Sequence, residues 1–212
     1  QIYRRWTSNH FIWDGRALSP QELTEVRLGI SPFPWLSLSV HGRTIGNFLY
    51  FDSQAYPAQT EQHVQMGALE LYFEKMMWKH LGIELRYMYQ YTTASPVVRL
   101  PAHYLHPKVY YNAFLFRNRM QVLMGVEAEL FDTFAPYAYM PATQVFFPQN
   151  DISVGSYPFA DVFFSVRIRP VSVFFKLENA LKGFAGPDYF LVPGHYQPDR
   201  AFRLGINWMF FD

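Results

Sequence analysis

Residues 201–212 read Ala-Phe-Arg-Leu-Gly-Ile-Asn-Trp-Met-Phe-Phe-Asp, and this segment decides the fold. Apolar residues occupy every second position: Phe202, Leu204, Ile206, Trp208 and Phe210. The positions between the first four of them hold Arg203, Gly205 and Asn207. Successive side chains of a β-strand point to opposite faces, so this spacing predicts a strand with one apolar and one polar face.

The same two-residue period recurs along the chain. It is clear in residues 162–169 (Val-Phe-Phe-Ser-Val-Arg-Ile-Arg) and in residues 120–131 (Met-Gln-Val-Leu-Met-Gly-Val-Glu-Ala-Glu-Leu-Phe). We predict about ten strands, at residues 2–13, 21–31, 35–51, 62–74, 79–93, 107–117, 119–132, 154–169, 171–183 and 200–212. Many of them reach the roughly 9–11 residues with which a tilted strand crosses a bilayer.

Composition favours a membrane-facing sheet over a water-facing one. Charged residues make up 17% of the chain and aromatic residues 19%, whereas soluble domains carry about 25% charged residues. A run of about 18 apolar residues, which a spanning helix needs, is absent from the sequence. A soluble β-sandwich is the alternative, but its outward faces are polar and its strands average about 5–6 residues. The pattern therefore predicts an all-β fold, a transmembrane antiparallel up-and-down β-barrel.

Connection lengths give the expected orientation. Short connections are predicted at 31–34, 75–78, 118 and 170, and long ones at 52–61, 94–106, 133–153 and 184–199. Outer-membrane barrels have short periplasmic turns and longer external loops. Counting strands from the short turns places the C-terminus on the periplasmic side.

Cysteine is absent, which excludes disulfides, thiolate zinc sites and cysteine nucleophiles. The net charge of +1 argues against a nucleic-acid partner.

Four segments in matching order resemble the C-terminal half of the "putative porin" family of Bacteroidetes-type bacteria. They are residues 9–13 (Asn-His-Phe-Ile-Trp), 156–163 (Ser-Tyr-Pro-Phe-Ala-Asp-Val-Phe), 174–179 (Phe-Phe-Lys-Leu-Glu-Asn) and 198–205 (Pro-Asp-Arg-Ala-Phe-Arg-Leu-Gly). The resemblance implies a β-barrel in the outer membrane of a Gram-negative bacterium. Residues 1–212 would then be the C-terminal part of one barrel domain, with further strands upstream.

Two functions are expected of such a barrel. The first is a porin for passive diffusion of small polar solutes, without enzymatic activity, cofactor or metal, in contact with membrane lipid and lipopolysaccharide. The alternative is a non-conducting barrel that serves as scaffold or partner subunit in an envelope (secretion or uptake) complex. For either function, the expected protein partner is another outer-membrane protein or further copies of the same chain in a homo-oligomer. Ten strands alone would close a narrow barrel filled by side chains, so conduction requires a larger complete barrel.

Charged residues on the polar face are the candidate pore lining. The set is Glu84, Arg86, Glu127, Glu129, Arg167, Arg169, Lys176, Glu178 and Arg203. Both signs of charge are present, as in charged rings around a water-filled pore. Alternatively, these residues pair with one another and stiffen the wall. Phe131, Phe163 and Phe174 share their face and suggest a partly filled lumen.

Aromatic residues near strand ends are the candidate membrane-interface belt: Trp13, Trp78, Tyr91, Trp208 and Phe210. Amphipathic rings favour the headgroup level, although ordinary strand packing is the alternative.

Other candidate sites are weaker. His103 and His106 have a spacing that could serve a metal, but a Pro-rich, solvated loop is the preferred interpretation. Ser8, Asn9 and His10 invite comparison with barrel lipases, yet a triad needs geometry from distant strands. The aromatic and Pro-rich loops at 133–154 and 182–200 could fold into the lumen, contact partners or only stiffen themselves.

Overall fold

The computed structural model describes residues 2–5, 18–184, 190–196 and 199–210. Within these residues all regular secondary structure is β-strand. In chain order they are β1 (Ile2–Arg5), β2 (Gln21–Phe33), β3 (Leu36–Gly46), β4 (Leu49–Phe51), β5 (Pro57–Gln59), β6 (Val64–Met76), β7 (Leu81–Thr92), β8 (His103–Leu115), β9 (Met120–Phe131), β10 (Tyr137–Met140), β11 (Val145–Pro148), β12 (Phe159–Ile168), β13 (Val171–Glu178), β14 (Phe190–Val192), β15 (His195–Tyr196) and β16 (Ala201–Trp208).

Ten of these strands form one antiparallel sheet, in the order β1-β2-β3-β6-β7-β8-β9-β12-β13-β16. The order follows the chain, so the sheet is an up-and-down meander with β1 and β16 at its two edges. The other six strands form three hairpins, β4–β5, β10–β11 and β14–β15. In the described residues there is no helix that is long and apolar enough to cross a membrane.

Short and long connections alternate, as the sequence pattern predicts. The short turns lie at 34–35, 77–80, 116–119 and 169–170, and they define the short-turn end of the sheet. The long connections, with the three hairpins, define the long-loop end. In the β8–β9 turn, Phe116, Arg117 and Asn118 have φ values of 51°, 57° and 66°, which reverse the chain within four residues.

Several predicted strand boundaries were wrong, among them the end predicted at residue 183, since that strand ends at Glu178. The strand expected at 35–51 ends at Gly46, because Asn47 has a φ of 52° and residues 49–51 then form β4 in a loop hairpin. The strand expected at 154–169 begins only at Phe159. Gly155 and Ser156 have φ values of 129° and 60°, which interrupt the extended chain before it.

The loop predicted around His103 and His106 was also wrong, because both residues belong to β8. Pro107 is accommodated within that strand where the β8–β9 register is interrupted between Leu105 and Lys108. A proline lacks the N–H that a ladder position needs, and such an interruption tolerates it. Of the strand predicted at 2–13, the described residues include only Ile2–Arg5.

One face of the sheet is apolar across its strands, and we call it the apolar face. One row of register partners on it is Leu28, Val40, Leu69 and Tyr89, and another is Val126, Val162, Leu177 and Phe202. Seven of these eight hydrophobic side chains are exposed, and Leu177 is half-buried; Leu28 is 70% accessible, and Ile206 on the same face is 67% accessible.

Buried residues concentrate at the long-loop end. Five buried residues lie in the long connections and are at most 8% accessible: Ala55, Val98, Val145, Val154 and Tyr157. The hairpins contact one another there, β4 with β11 and β10 with β14. The long connections therefore have a small hydrophobic core of their own, which we call the loop cap.

Candidate functional site

The second face of the sheet carries the charged side chains, and we call it the polar face. Its side chains alternate with those of the apolar face along each strand. The carboxylates and lysines here are better shielded than the aliphatic groups opposite: the side chains of Glu84 and Glu127 are 20% and 21% accessible, whereas the arginines Arg86 and Arg203 are 51% and 65% accessible. A sheet that curls around its polar face produces this difference, since side chains on the concave side crowd together.

A band of charge crosses five adjacent strands of the polar face at successive register partners. Its members are Glu74 on β6, Glu84 on β7, Lys108 on β8, Glu127 on β9 and Asp161 on β12. We call these five residues, together with Lys176 on β13, the charged band.

Two lysines hold the charged band together. Lys108 Nζ lies 3.8 Å from Glu84 Oε2 and 3.8 Å from Glu127 Oε2. Lys176 Nζ lies 2.8 Å from both Glu127 Oε1 and Asp161 Oδ2. Two ammonium groups against four carboxylates leave the band with a net charge of 2 − 4 = −2.

The carboxylate furthest from a lysine in this band is held by tyrosines. Tyr72 donates its hydroxyl to Glu74 Oε2 at 2.8 Å, and Tyr110 donates to Glu74 Oε1 at 3.3 Å. Phenolic donors stabilise a carboxylate without neutralising it. Glu74 therefore has phenolic hydroxyl partners on the polar face where the other carboxylates of the band have ammonium partners.

The other predicted pore-lining residues also occupy the polar face, in smaller groups. Arg86 Nε lies 3.9 Å from Glu70 Oε1, and Arg203 Nε lies 2.8 Å from Glu178 Oε2. Glu129 interacts with the Tyr104 hydroxyl. Arg167 and Arg169 lie apart from all of these, at the short-turn end. Lining of a pore is still a prediction for the whole set.

Sequence reasoning missed Glu70, Glu74, Lys108 and Asp161. Parity along β12 contained the signal for Asp161, because it shares its face with Phe163 and Arg167. Lys108 directly follows Pro107, the first residue of the strand predicted at 107–117. The alternation of residues within one strand does not define the register between strands, and it is this register that brings these residues together.

Aromatic rings on the polar face lie against glycines of the adjacent strand. A Cβ built on Gly205 would stand 2.2 Å from the Phe174 ring, and one on Gly125 would stand 2.7 Å from the Phe163 ring. A Cβ on Gly82 would meet the Tyr110 ring at 2.4 Å. These rings occupy the space that a side chain on each glycine would fill, so they follow the wall of the sheet.

The connection between β7 and β8, residues 93–102, folds onto the polar face. Gln90 donates its side-chain amide to the Pro101 carbonyl at 3.0 Å and its backbone N–H to the Ala102 carbonyl at 2.8 Å. Val98 and Leu100 from this connection line a cavity of about 380 Å³ together with strand residues of the polar face, among them Met66 and Met88.

The loop predicted as a constriction or partner surface, residues 133–154, packs on that connection. Tyr137 donates its hydroxyl to the Val97 carbonyl at 2.7 Å and accepts the Arg99 N–H at 3.3 Å. Arg99 Nη2 also donates to Asn150 Oδ1 at 2.8 Å. Burial raises the pKa of the Tyr137 phenol, so the hydroxyl keeps its proton in this contact.

His103 and His106 cannot share a metal ion. They are three residues apart on one strand, so their side chains leave β8 on opposite faces. His103 Nδ1 instead lies 2.8 Å from the Tyr87 hydroxyl. No group of three or more potential metal ligands occurs among the residues that the structure describes. Ser8, Asn9 and His10 lie outside those residues.

The aromatic-belt candidates fall at both ends of the sheet. Trp78 lies in a short turn. At the same end of the sheet Trp208 is the last residue of β16 and Phe210 lies two residues beyond it, with the two rings stacked 5.2 Å apart. Tyr91 lies at the long-loop end of β7. All four are exposed, whereas Trp13 lies outside the described residues. Their contact with a membrane interface is still a prediction.

An antiparallel meander with one apolar and one charged face is the arrangement found in the walls of channel-type outer-membrane proteins. The family comparison agrees with this class. The chain belongs to the family described as "Putative porin", whose model matches residues 1–212. No curated protein sequence matches the chain significantly.

Proposed function

We propose that this chain forms part of a closed β-barrel in the outer membrane and that the polar face lines a lumen through which small polar solutes diffuse passively. The observation that carries the proposal is the inverted polarity of the sheet. Charged groups such as Glu84 and Glu127 are shielded, while Leu28, Ile206 and their neighbours are exposed.

The free energy of this arrangement favours a lipid environment. Each large aliphatic side chain left in water forgoes about 1.5–3 kcal/mol relative to burial. An apolar face that extends across the sheet would multiply that cost and promote aggregation. A bilayer removes the cost, because the apolar face then contacts lipid chains.

The charged band gives the proposed lumen its chemistry. It presents carboxylates and ammonium groups to a water-filled path. Such a lining suits hydrated polar solutes, and their passage requires no covalent step or cofactor. Its net charge of −2 favours cations over anions of the same size. Because Phe163 and Phe174 lie along the wall, their rings leave more of the lumen open than inward-pointing rings would.

The proposed orientation follows from the two ends of the sheet. The short turns and the end of β16 face the periplasm, and the loop cap faces outward, where lipopolysaccharide surrounds it. The protein is proposed to belong to a Gram-negative, Bacteroidetes-type bacterium, and strands in addition to these ten widen the lumen.

Single-channel conductance of the full-length protein in a planar bilayer tests the proposal. We expect discrete steps that grow with salt concentration. Neutralising the polar face with Glu127→Gln and Glu129→Gln should lower the preference for cations, whereas Glu61→Gln in a long connection should leave it unchanged. A folded, heat-modifiable protein that never conducts would contradict the porin.

A scaffold role is the second candidate, and the loop cap favours it. Residues 93–102 fold onto the polar face and are fastened there by Gln90 and Tyr137. If this segment seals the lumen, the barrel serves as a partner in an envelope complex. Deleting residues 94–101 separates the two functions: a porin conducts before and after the deletion, whereas a scaffold sealed by this segment conducts only after it.

A further inference from the structure

Three arginines surround a cavity of about 620 Å³ at the short-turn end of the sheet. The cavity is lined by Phe114, Asn118, Arg119, Gln121, Arg167, Ile168 and Arg169. Arg119 directly precedes β9. Arg167 and Arg169 lie on either side of Ile168, the last residue of β12. We call Arg119, Arg167 and Arg169 the arginine cluster.

The register of β9 and β12 forces these arginines together. Gln121 is the partner of Arg167, and Met120 is the partner of Ile168. Arg119 and Arg169 are the next residue on each strand beyond that last pair, so they meet beside the two turns. Like charges at neighbouring positions of two strands destabilise a sheet.

The cluster has no internal compensation in the described part of the chain. Three carboxylates of the charged band pair with its lysines further along the strands, and the fourth, Glu74, accepts from tyrosine hydroxyls. No ion pair joins a described carboxylate to Arg119, Arg167 or Arg169. Three guanidinium groups at a concave surface thus face solvent, and an anion that enters the cavity would relieve their repulsion.

We propose that the arginine cluster binds a phosphate group. Guanidinium groups offer paired donors in a fixed plane that match two phosphate oxygens, and several such forks suit a dianion better than one carboxylate does. The side-chain amides of Asn118 and Gln121 line the same cavity and supply further donors.

The cavity admits more than an inorganic ion. Its volume of about 620 Å³ leaves room for the rest of a phosphate ester, with Phe114 and Ile168 as apolar walls. Phosphate at this position has two sources, a phosphorylated solute or the headgroup of a phospholipid. The site does not depend on conduction, since it requires only the two hairpin ends.

Calorimetric titration of the full-length protein in detergent with inorganic phosphate, at ionic strength held constant with chloride, tests the site. We expect saturable binding that weakens at least about tenfold in the double variant Arg167→Gln, Arg169→Gln, by loss of two charge-assisted contacts. Arg27→Gln is the matched control, because this exposed arginine on the polar face of β2 lies outside the cluster. Heat-modifiable gel mobility confirms that each variant is folded.

A second arm distinguishes the two sources. The protein is reconstituted in nanodiscs of phosphatidylglycerol and phosphatidylcholine, extracted gently, and weighed by native mass spectrometry. If the wild type retains phospholipid, phosphate displaces it and the double variant does not retain it, the site binds a phospholipid headgroup. Phosphate binding without retained lipid assigns it to a solute. Equal binding and retention in the wild type and the double variant, or neither in both, would overturn the proposal.

Discussion

The ring of Phe174 on β13 lies directly over Gly205, its register partner on β16. Two ring atoms would stand 2.2 Å from a Cβ built on that glycine. Phe163 covers Gly125, its own register partner on β9, in the same way. An aromatic ring that covers a glycine of the next strand shields its backbone and fixes the pairing register.

Substituting Gly205→Ala should destabilise the protein by about 1–3 kcal/mol, the usual cost of overpacking. The new methyl group displaces the Phe174 ring from the wall, and the ring then projects from the polar face. Urea unfolding of the full-length protein, followed by tryptophan fluorescence in detergent, measures the loss.

Two further glycines calibrate this measurement. Gly125→Ala should cost more than Gly205→Ala, because its Cβ would stand 2.3 Å from the Val109 backbone oxygen, which cannot rotate away. Gly42→Ala should be nearly neutral, since nothing lies within 4 Å of its Cβ. Equal losses at all three positions would show that the rings play no part.

Replacing Lys176→Gln should cost about 1 kcal/mol and increase the cation preference of the conducting protein. The substitution removes the ammonium group shared by Glu127 and Asp161 and changes the net charge of the charged band from −2 to −3. Reversal potentials in a salt gradient measure the preference. Lys182→Gln is the control, because Lys182 lies in a long connection outside the band; the same shift in both variants would contradict the role of the band.

Alkaline pH should loosen the loop cap through Tyr137. Its folded-state pKa lies above the unfolded value of about 10. The hydroxyl contact with Val97, worth about 1 kcal/mol, is therefore complete below pH 10 and is lost as pH rises through the folded-state pKa. Limited proteolysis of residues 93–102 at increasing pH measures the opening.

Tyr137→Phe isolates this effect from the ionisation of other tyrosines. The variant should be cleaved faster than the wild type at neutral pH, and the difference between the two proteins should shrink above pH 10. Identical cleavage at neutral pH would show that the Val97 and Arg99 contacts do not hold the cap.

Adjacent residues of β3 identify which face meets lipid. Val40 is 53% exposed on the apolar face, and Ser39 lies beside Glu70 on the polar face. Val40→Arg should cost about 2–4 kcal/mol if it lies at the bilayer midplane, whereas Ser39→Arg should be tolerated next to the Glu70 carboxylate. The heat-modifiable fraction of each variant in native membranes measures folding, and the opposite ranking would place lipid on the charged side.

Strand faces were predictable from the sequence because the two-residue period is a local property. Phe202, Leu204 and Ile206 share a face whatever lies beside β16. The meeting of Lys108 with Glu84 and Glu127 depends instead on the offsets between three strands, which alternation within one strand does not define.

The packing of the loop cap could not be predicted from the sequence, for a different reason. Tyr137, Val98 and Val154 are brought together by long connections whose residues have no regular period. Pro101 and Pro107 indicate a loop around His103, but β8 includes Pro107 where its pairing with β9 is interrupted.

In the ten-stranded sheet, each strand bonds to strands that adjoin it in the meander. Such nearest-neighbour pairing allows a hairpin to be inserted or lost at an edge without rearranging the hydrogen bonds of the strands already present. Circumference in this architecture is thus adjustable in steps of two strands, and evolution can enlarge the enclosed space while keeping the chemistry of the existing wall.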